Sequence, residues 1–109
     1  MKTVLIICAA GISSSLIAKK ATGHFKDQGI EINVKATSVM AGMKAIASDE
    51  HDLYLISPQT RQYFDELSKS ALKKNKIIEL LPSQAYVANE KGTEILCAFI
   101  ENLQQKNNF

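Results

Sequence analysis

The chain has 109 residues, of which 46% are hydrophobic and 22% charged, and its formal net charge is +2. These values predict one domain over residues 1–109 that can bury a core without a linker. They also argue against a nucleic-acid partner, because the positive charges are dispersed and no basic run is interleaved with aromatics. The leading apolar run stops at Cys8, far short of the roughly 20 residues that span a bilayer, so the expectation is a soluble, cytoplasmic protein with no membrane insertion. Two cysteines, Cys8 and Cys97, form neither a disulfide framework nor a zinc pattern, and no metal or other cofactor is expected.

Four strand-like runs alternate with four helical patterns, the arrangement of a parallel βαβ sheet. Residues 3–8 are apolar without a break from Val4 to Ile7, as in a central strand covered on both faces. A helix follows over 13–28, with Ile17, Ala21 and Phe25 on its inward stripe and Gly29 as its stop. The second strand, 30–36, alternates Ile30, Ile32, Val34 and Ala36 with polar residues, the pattern of a half-exposed edge strand. Ser38 is placed to cap a helix over 39–48, whose Met40, Met43 and Ala47 share the face expected to fill the core.

The third strand, 52–56, is densely apolar and is predicted to lie in the sheet interior beside the first. Pro58 suits the start of the next helix, whose Tyr63, Phe64, Leu67 and Ala71 form a buried stripe. Lys69, Lys73, Lys74 and Lys76 gather at its end, where cations match the helix dipole. The fourth strand, 76–81, stops at Pro82. Residues 83–89 read as a loop before a final helix over 90–105, with Leu96, Phe99, Ile100 and Leu103 facing inward and 106–109 frayed. Right-handed crossovers and a second strand at the edge give an open four-stranded parallel α/β sheet of order 2-1-3-4 with helices on both faces. Ligands of such sheets bind beyond the carboxyl ends of the strands where the order reverses, which falls between the first and third strands, beside Cys8.

The loop after Cys8 is Ala9-Ala10-Gly11-Ile12-Ser13-Ser14-Ser15. Its small residues let backbone N–H groups converge, and with the positive end of a helix they make a site for a phosphate-sized dianion. A thiolate is the nucleophilic form of cysteine, and a helix N-terminus favours it. The bland alternative is that Cys8 is an inert small residue ending a buried strand and that Ser13 or Ser14 is a helix cap. A Walker loop is excluded because the second glycine and the lysine are missing; the dinucleotide fingerprint and a C-x-x-C redox pair are absent as well. A cysteine-dependent phosphatase of the C-x5-R type needs an arginine where Ser14 stands, and the chain's only arginine is Arg61. Without it a phosphocysteine would be held by backbone donors while its hydrolysis lacked the main charge stabiliser. A phosphoryl carrier fits better, with a phosphatase and a non-catalytic anion-binding or regulatory module as alternatives.

Cys8 to Ser15 resembles the C-x-x-G-M-S-[TS]-S loop of the enzyme IIB components of the lactose/cellobiose class of the bacterial sugar phosphotransferase system. Leu55-Ile56-Ser57-Pro58-Gln59 resembles that family's L-x-G-P-Q segment, and the spacing to Tyr86 is similar too. The resemblance covers essentially the whole chain and implies a flavodoxin-like domain with a loop like that of low-molecular-weight tyrosine phosphatases. It further implies that Cys8 takes a phosphoryl group from a phosphohistidine of enzyme IIA and passes it to a beta-glucoside or disaccharide bound by the membrane enzyme IIC. On this resemblance Ala9 to Ser15 form the phosphate loop, and Pro58, Gln59 and Tyr86 form a second, facing loop. Ile12 replaces the family's methionine and Ser57 its glycine. Ile12 and Tyr86 are candidate docking contacts for partners, with ordinary loop packing as the alternative. His24 and His51 lack ligand-spaced partners and read as structural or solvated, Cys97 as core, and Asp65 with Glu66 as a solvated helix face.

Overall fold

The computed structural model describes residues 2–9 and 12–107, excluding the side chains of residues 12 and 13. Strand β1 (Lys2–Cys8) leads into helix α1 (Ile12–Asp27), and β2 (Ile32–Ser38) into α2 (Val39–Ala47). Then β3 (Leu53–Ile56), a 3-10 segment Pro58–Tyr63 and α3 (Phe64–Lys73) follow, with β4 (Ile77–Leu80), a short turn Ser83–Ala85 and α4 (Glu90–Asn107) completing the chain. All strand pairs are parallel and the sheet order is β2-β1-β3-β4, as the sequence predicts.

The two-residue period of β1 divides the core in two. Val4 and Ile6 join Ile17, Phe25, Leu96 and Ile100 on the face covered by α1 and α4. Leu5 and Ile7 join Ile46, Tyr54, Ile56 and Leu67 on the face covered by α2 and α3. Strands β1 and β3 are buried on both faces, which is why neither shows polar alternation. At the outer edge of β2 the Thr22 hydroxyl accepts from the Val34 N–H at 2.9 Å and reaches the Val34 carbonyl at 3.1 Å, so part of that edge is already occupied.

Several boundaries and one helix face differ from expectation. Strand β2 begins at Ile32, not residue 30, because the Ile30 N–H bonds back to the Phe25 carbonyl at 2.9 Å and closes the turn after α1 through Gly29. It ends at Ser38 because β1 runs on to Cys8 and keeps pairing. Ser38 then caps α2 as predicted, its hydroxyl accepting from Ala41 N–H at 3.4 Å. Helix α2 buries Gly42, Ala45 and Ile46, while Met40 is 76% exposed and Ala47 is also exposed. A Cβ on Gly42 would lie 2.8 Å from Ile7, so it is the small-residue stripe that lets the helix approach β1, with Met43 half-buried against that core as expected and Met40 turned aside. Tyr63, expected on a buried stripe, is 37% exposed because the preceding 3-10 turns shift its phase. Lys106 and Asn107, expected to fray, belong to α4.

Helix α4 starts under tight constraint. The Asn89 side chain accepts from Gly92 N–H at 2.7 Å, and both the Thr93 N–H and hydroxyl reach the Asn89 carbonyl at 2.9 Å. A Cβ on Gly92 would lie 2.1 Å from the Val87 carbonyl oxygen, a backbone atom with nowhere cheap to go. Gly92→Ala is therefore expected to destabilise the fold by about 1–3 kcal/mol, read as a lower urea midpoint, and to disturb the neighbouring Tyr86 loop.

Candidate functional site

The carboxyl ends of β1 and β3 create the site by parity. Ile6 pairs with Leu55 and Ile7 with Ile56. The next residues, Cys8 and Ser57, follow the parity of Val4, Ile6, Leu53 and Leu55, which face α1 and α4. The ladder continues through a bond from Ser57 N–H to the Ile7 carbonyl at 2.9 Å. Cys8 therefore ends its strand on the side where α1 begins, and no acidic residue occupies the first turn of that helix. Cys8 is buried, and its Sγ donates to the Thr37 carbonyl at 3.5 Å.

Around the thiol is a set of hydroxyls. Ser14 and Ser57 are fully buried and Thr60 almost so. The Ser14 hydroxyl is hydrogen-bonded to that of Tyr86, which reaches over from the loop before α4. The Ser57 and Thr60 hydroxyls are 2.9 Å apart, and Thr60 also donates to the Ile7 carbonyl at 3.2 Å and the Ser57 carbonyl at 3.3 Å. Burial pushes the Tyr86 phenol above its usual range, and the negative charge of a Cys8 thiolate with its hydrogen bond pushes the same way. Hydrogen bonding with Ser14 and Ser57 works against that rise. The phenol thus stays protonated and keeps a proton to give.

The predicted site residues divide accordingly. Cys8, Ser14 and Tyr86 come together, although Tyr86 and Ser14 are 72 residues apart in the chain. Ala9 and Ser15 are exposed beside them, and Ser15 has a bonding partner. Ala10 and Gly11 lie outside the described residues; Ile12 and Ser13 open α1. Pro58 is half-buried at the first position of its 3-10 segment and Gln59 is exposed, while Arg61 is exposed on the same segment. The sequence reading missed the hydroxyls of Ser57 and Thr60. The available signal was parity: Ser57 continues the Leu53, Leu55 alternation to the end of β3, next to the strand that ends in Cys8.

The other flagged side chains lie elsewhere in the fold. His24 packs edge-on against Phe25 with ring centres 6.3 Å apart, and His51 against Tyr54 at 5.9 Å. Burial, opposed by Glu50, lowers the His51 pKa, so the ring is neutral at physiological pH. Among the described residues no cluster of His, Cys, Asp or Glu could hold a metal ion, and no helix is long and apolar enough to cross a membrane. Cys97 sits in the core between α1 and α4, its Sγ 3.7 Å from the Ala21 carbonyl.

A parallel sheet of this order, with a cysteine closing its first strand ahead of a helix start and buried hydroxyls nearby, defines an open α/β domain with its candidate site at the sheet's carboxyl end. The chain belongs to the lactose/cellobiose-specific IIB subunits of the sugar phosphotransferase system: the family model "PTS system, Lactose/Cellobiose specific IIB subunit" matches residues 3–97. It is 31% identical over 105 residues to the cellobiose-specific EIIB component of Lactococcus lactis subsp. lactis (strain IL1403), covering 94% of this chain and 95% of that protein. The fold is similar to the lactose-specific IIB component domain from Streptococcus pneumoniae, with a TM-score of 0.77, 19% identity and coverage of 92% of this chain and 95% of that one. It is also similar to the cellobiose-specific phosphotransferase IIB component from Borrelia burgdorferi, with a TM-score of 0.69, 22% identity and coverage of 93% and 89%. The protein is thus a phosphotransfer module of a sugar phosphotransferase system.

The two thiols differ sharply in their surroundings. Burial, helped by the negative charge of Glu101, pushes the Cys97 thiol up to about 12, and a thiol reacts as its thiolate. Native protein treated with iodoacetamide at pH 8 and mapped by peptide mass spectrometry is expected to carry no label on Cys97, which becomes reactive only on unfolding. Labelling of Cys97 in the folded protein would contradict its place in the core.

Proposed function

We propose that Cys8 is the phosphoryl acceptor of this IIB component, and that it carries the group as a phosphocysteine between an enzyme IIA donor and a sugar held by the membrane enzyme IIC. In the first step the Cys8 sulfur attacks the phosphorus of a phosphohistidine. The S–P bond forms as the P–N bond breaks, and the thiol proton ends on the departing imidazole. In the second step a sugar hydroxyl oxygen attacks the same phosphorus, the S–P bond breaks, and the hydroxyl proton returns to the sulfur or to a base at the sugar site. The family gives the system in which these steps belong; the acceptor, its intermediate and its partners are our reading.

The observation that carries this reading is the state of Ser14. It stands where a C-x5-R phosphatase has its arginine, and it is a buried neutral residue whose hydroxyl is committed to Tyr86. A site built from neutral donors can bind a phosphoryl group without the bidentate cation that stabilises the transition state of its hydrolysis. Phosphoryl transfer needs mainly positioning and charge stabilisation, which the approaching donor and acceptor can share. A β-glucoside or disaccharide is the acceptor class most consistent with the family's lactose and cellobiose members.

The test is the intact mass of the protein after incubation with a phosphorylated enzyme IIA of the lactose/cellobiose class. A gain of one phosphate is expected, and it should vanish in Cys8→Ala but persist in Cys97→Ala. No gain, or a gain that survives Cys8→Ala, rules the reading out.

A further inference from the structure

The described hydroxyls around Cys8 differ in what they have left to give a new partner. Thr60 has a single hydroxyl proton, and two carbonyls accept from it, those of Ile7 and Ser57. The Ser57 and Thr60 hydroxyls also share a 2.9 Å hydrogen bond, so each already has a partner in the other. The Cys8 thiol proton is directed at the Thr37 carbonyl, so the sulfur presents lone pairs to the rest of the site. Among the described residues, the Tyr86 and Ser14 hydroxyls are bonded to each other. When Ser14 donates, the Tyr86 proton is free to point at whatever Cys8 carries.

That acceptor is favoured electrostatically. A thiolate sulfur or a phosphoryl oxygen on Cys8 is charged, and charge-assisted hydrogen bonds are roughly twice as strong as neutral ones. The geometry supports a fixed direction of approach, because Tyr86 is anchored on the same sheet face as Cys8 and packs against the α1 and α4 core. We propose that the Tyr86 hydroxyl is a direct hydrogen-bond donor to the phosphoryl group on Cys8, aimed by Ser14. This inference rests on the phosphocysteine reading. It adds a side-chain contact from the far end of the chain, made by a neutral phenol. Tyr86 forms and breaks no covalent bond and keeps its proton throughout.

The experiment follows phosphoryl transfer from a phosphorylated enzyme IIA to the full-length protein and to Tyr86→Phe, by mass and by the phosphocysteine 31P resonance. Tyr86→Phe keeps the ring and its packing and loses only the hydroxyl. Transfer is expected to slow by about ten- to a hundredfold, the scale of losing a hydrogen bond to a charged group, and the 31P resonance to move. Independently of any variant, wild-type protein labelled at tyrosine 13Cζ should show the Tyr86 signal shifting on phosphorylation. The signal of Tyr54, buried on the opposite face and donating to the Ala45 carbonyl, should stay in place. Equal rates with an unmoved 31P resonance, slower transfer with an unmoved 31P resonance, or an unshifted Tyr86 13Cζ signal each overturn the contact while leaving Cys8 as the acceptor. Wild-type protein that takes no phosphate on Cys8 overturns both the carrier reading and this inference.

Discussion

The site depends on the register between β1 and β3, because the pairing of Ile6 with Leu55 and of Ile7 with Ile56 decides which side of the sheet Cys8 and Ser57 face. A slip of one residue would send either of them to the α2 and α3 side, away from the start of α1. The register is held by burial on both faces. Val4 and Ile6 lock into one half of the core and Leu5 and Ile7 into the other, so no shift can satisfy both. The ladder bonds at either end, from Asp52 N–H to the Thr3 carbonyl and from Ser57 N–H to the Ile7 carbonyl, extend it to the functional edge. Apolar packing in the middle of the sheet thus fixes the polar chemistry at its end.

From that register follows the rigidity of the hydroxyl set. A buried hydroxyl without a partner costs on the order of 1–3 kcal/mol, and Ser14, Ser57 and Thr60 all have partners. These bonds join elements that the chain order keeps far apart. Ser14 belongs to α1, Ser57 directly follows β3, Thr60 lies in the 3-10 segment after it, and Tyr86 belongs to the loop before α4. The loop itself is tied at its other end by the Asn89 cap and by the close approach of Gly92 to Val87. Tyr86 is therefore held from both directions, by its hydroxyl on one side and by the helix start on the other.

Much of this was legible in the sequence, for physical reasons that also explain the gaps. The unbroken apolar runs of β1 and β3 against the alternating β2 declared which strands are central, and the sheet order followed. Cys8 ahead of a small-residue loop marked the candidate site. What failed was part of the face chosen on α2: Met43 does pack against the core, but Met40 and Ala47 do not, because the stripe of Gly42, Ala45 and Ile46 allows a closer helix approach to Ile7. Sequence periodicity alone has no means of weighing distance of approach against side-chain volume. The hydroxyls of Ser57 and Thr60 were missed for a different reason. Their partnership crosses strand ends and a 3-10 turn, and it can be seen only once the register is known.

The neutral character of this set bears on why a phosphocysteine here would be transferred and not hydrolysed. An interaction speeds a reaction only by being stronger in the transition state than in the ground state. An arginine at the position of Ser14 would grip the extra charge spread over the equatorial oxygens as water attacked. On the proposed reading, neutral donors would bind the tetrahedral phosphoryl group in its resting state about as well as in transit. Such a site would hold the group without lowering the barrier to its loss, and leave that barrier to be lowered by what docks against it. On the proposed reading the selectivity of the carrier for partners over water comes from what Ser14 is not. Its hydroxyl, turned toward Tyr86, uses the vacated space to orient a donor that carries no charge.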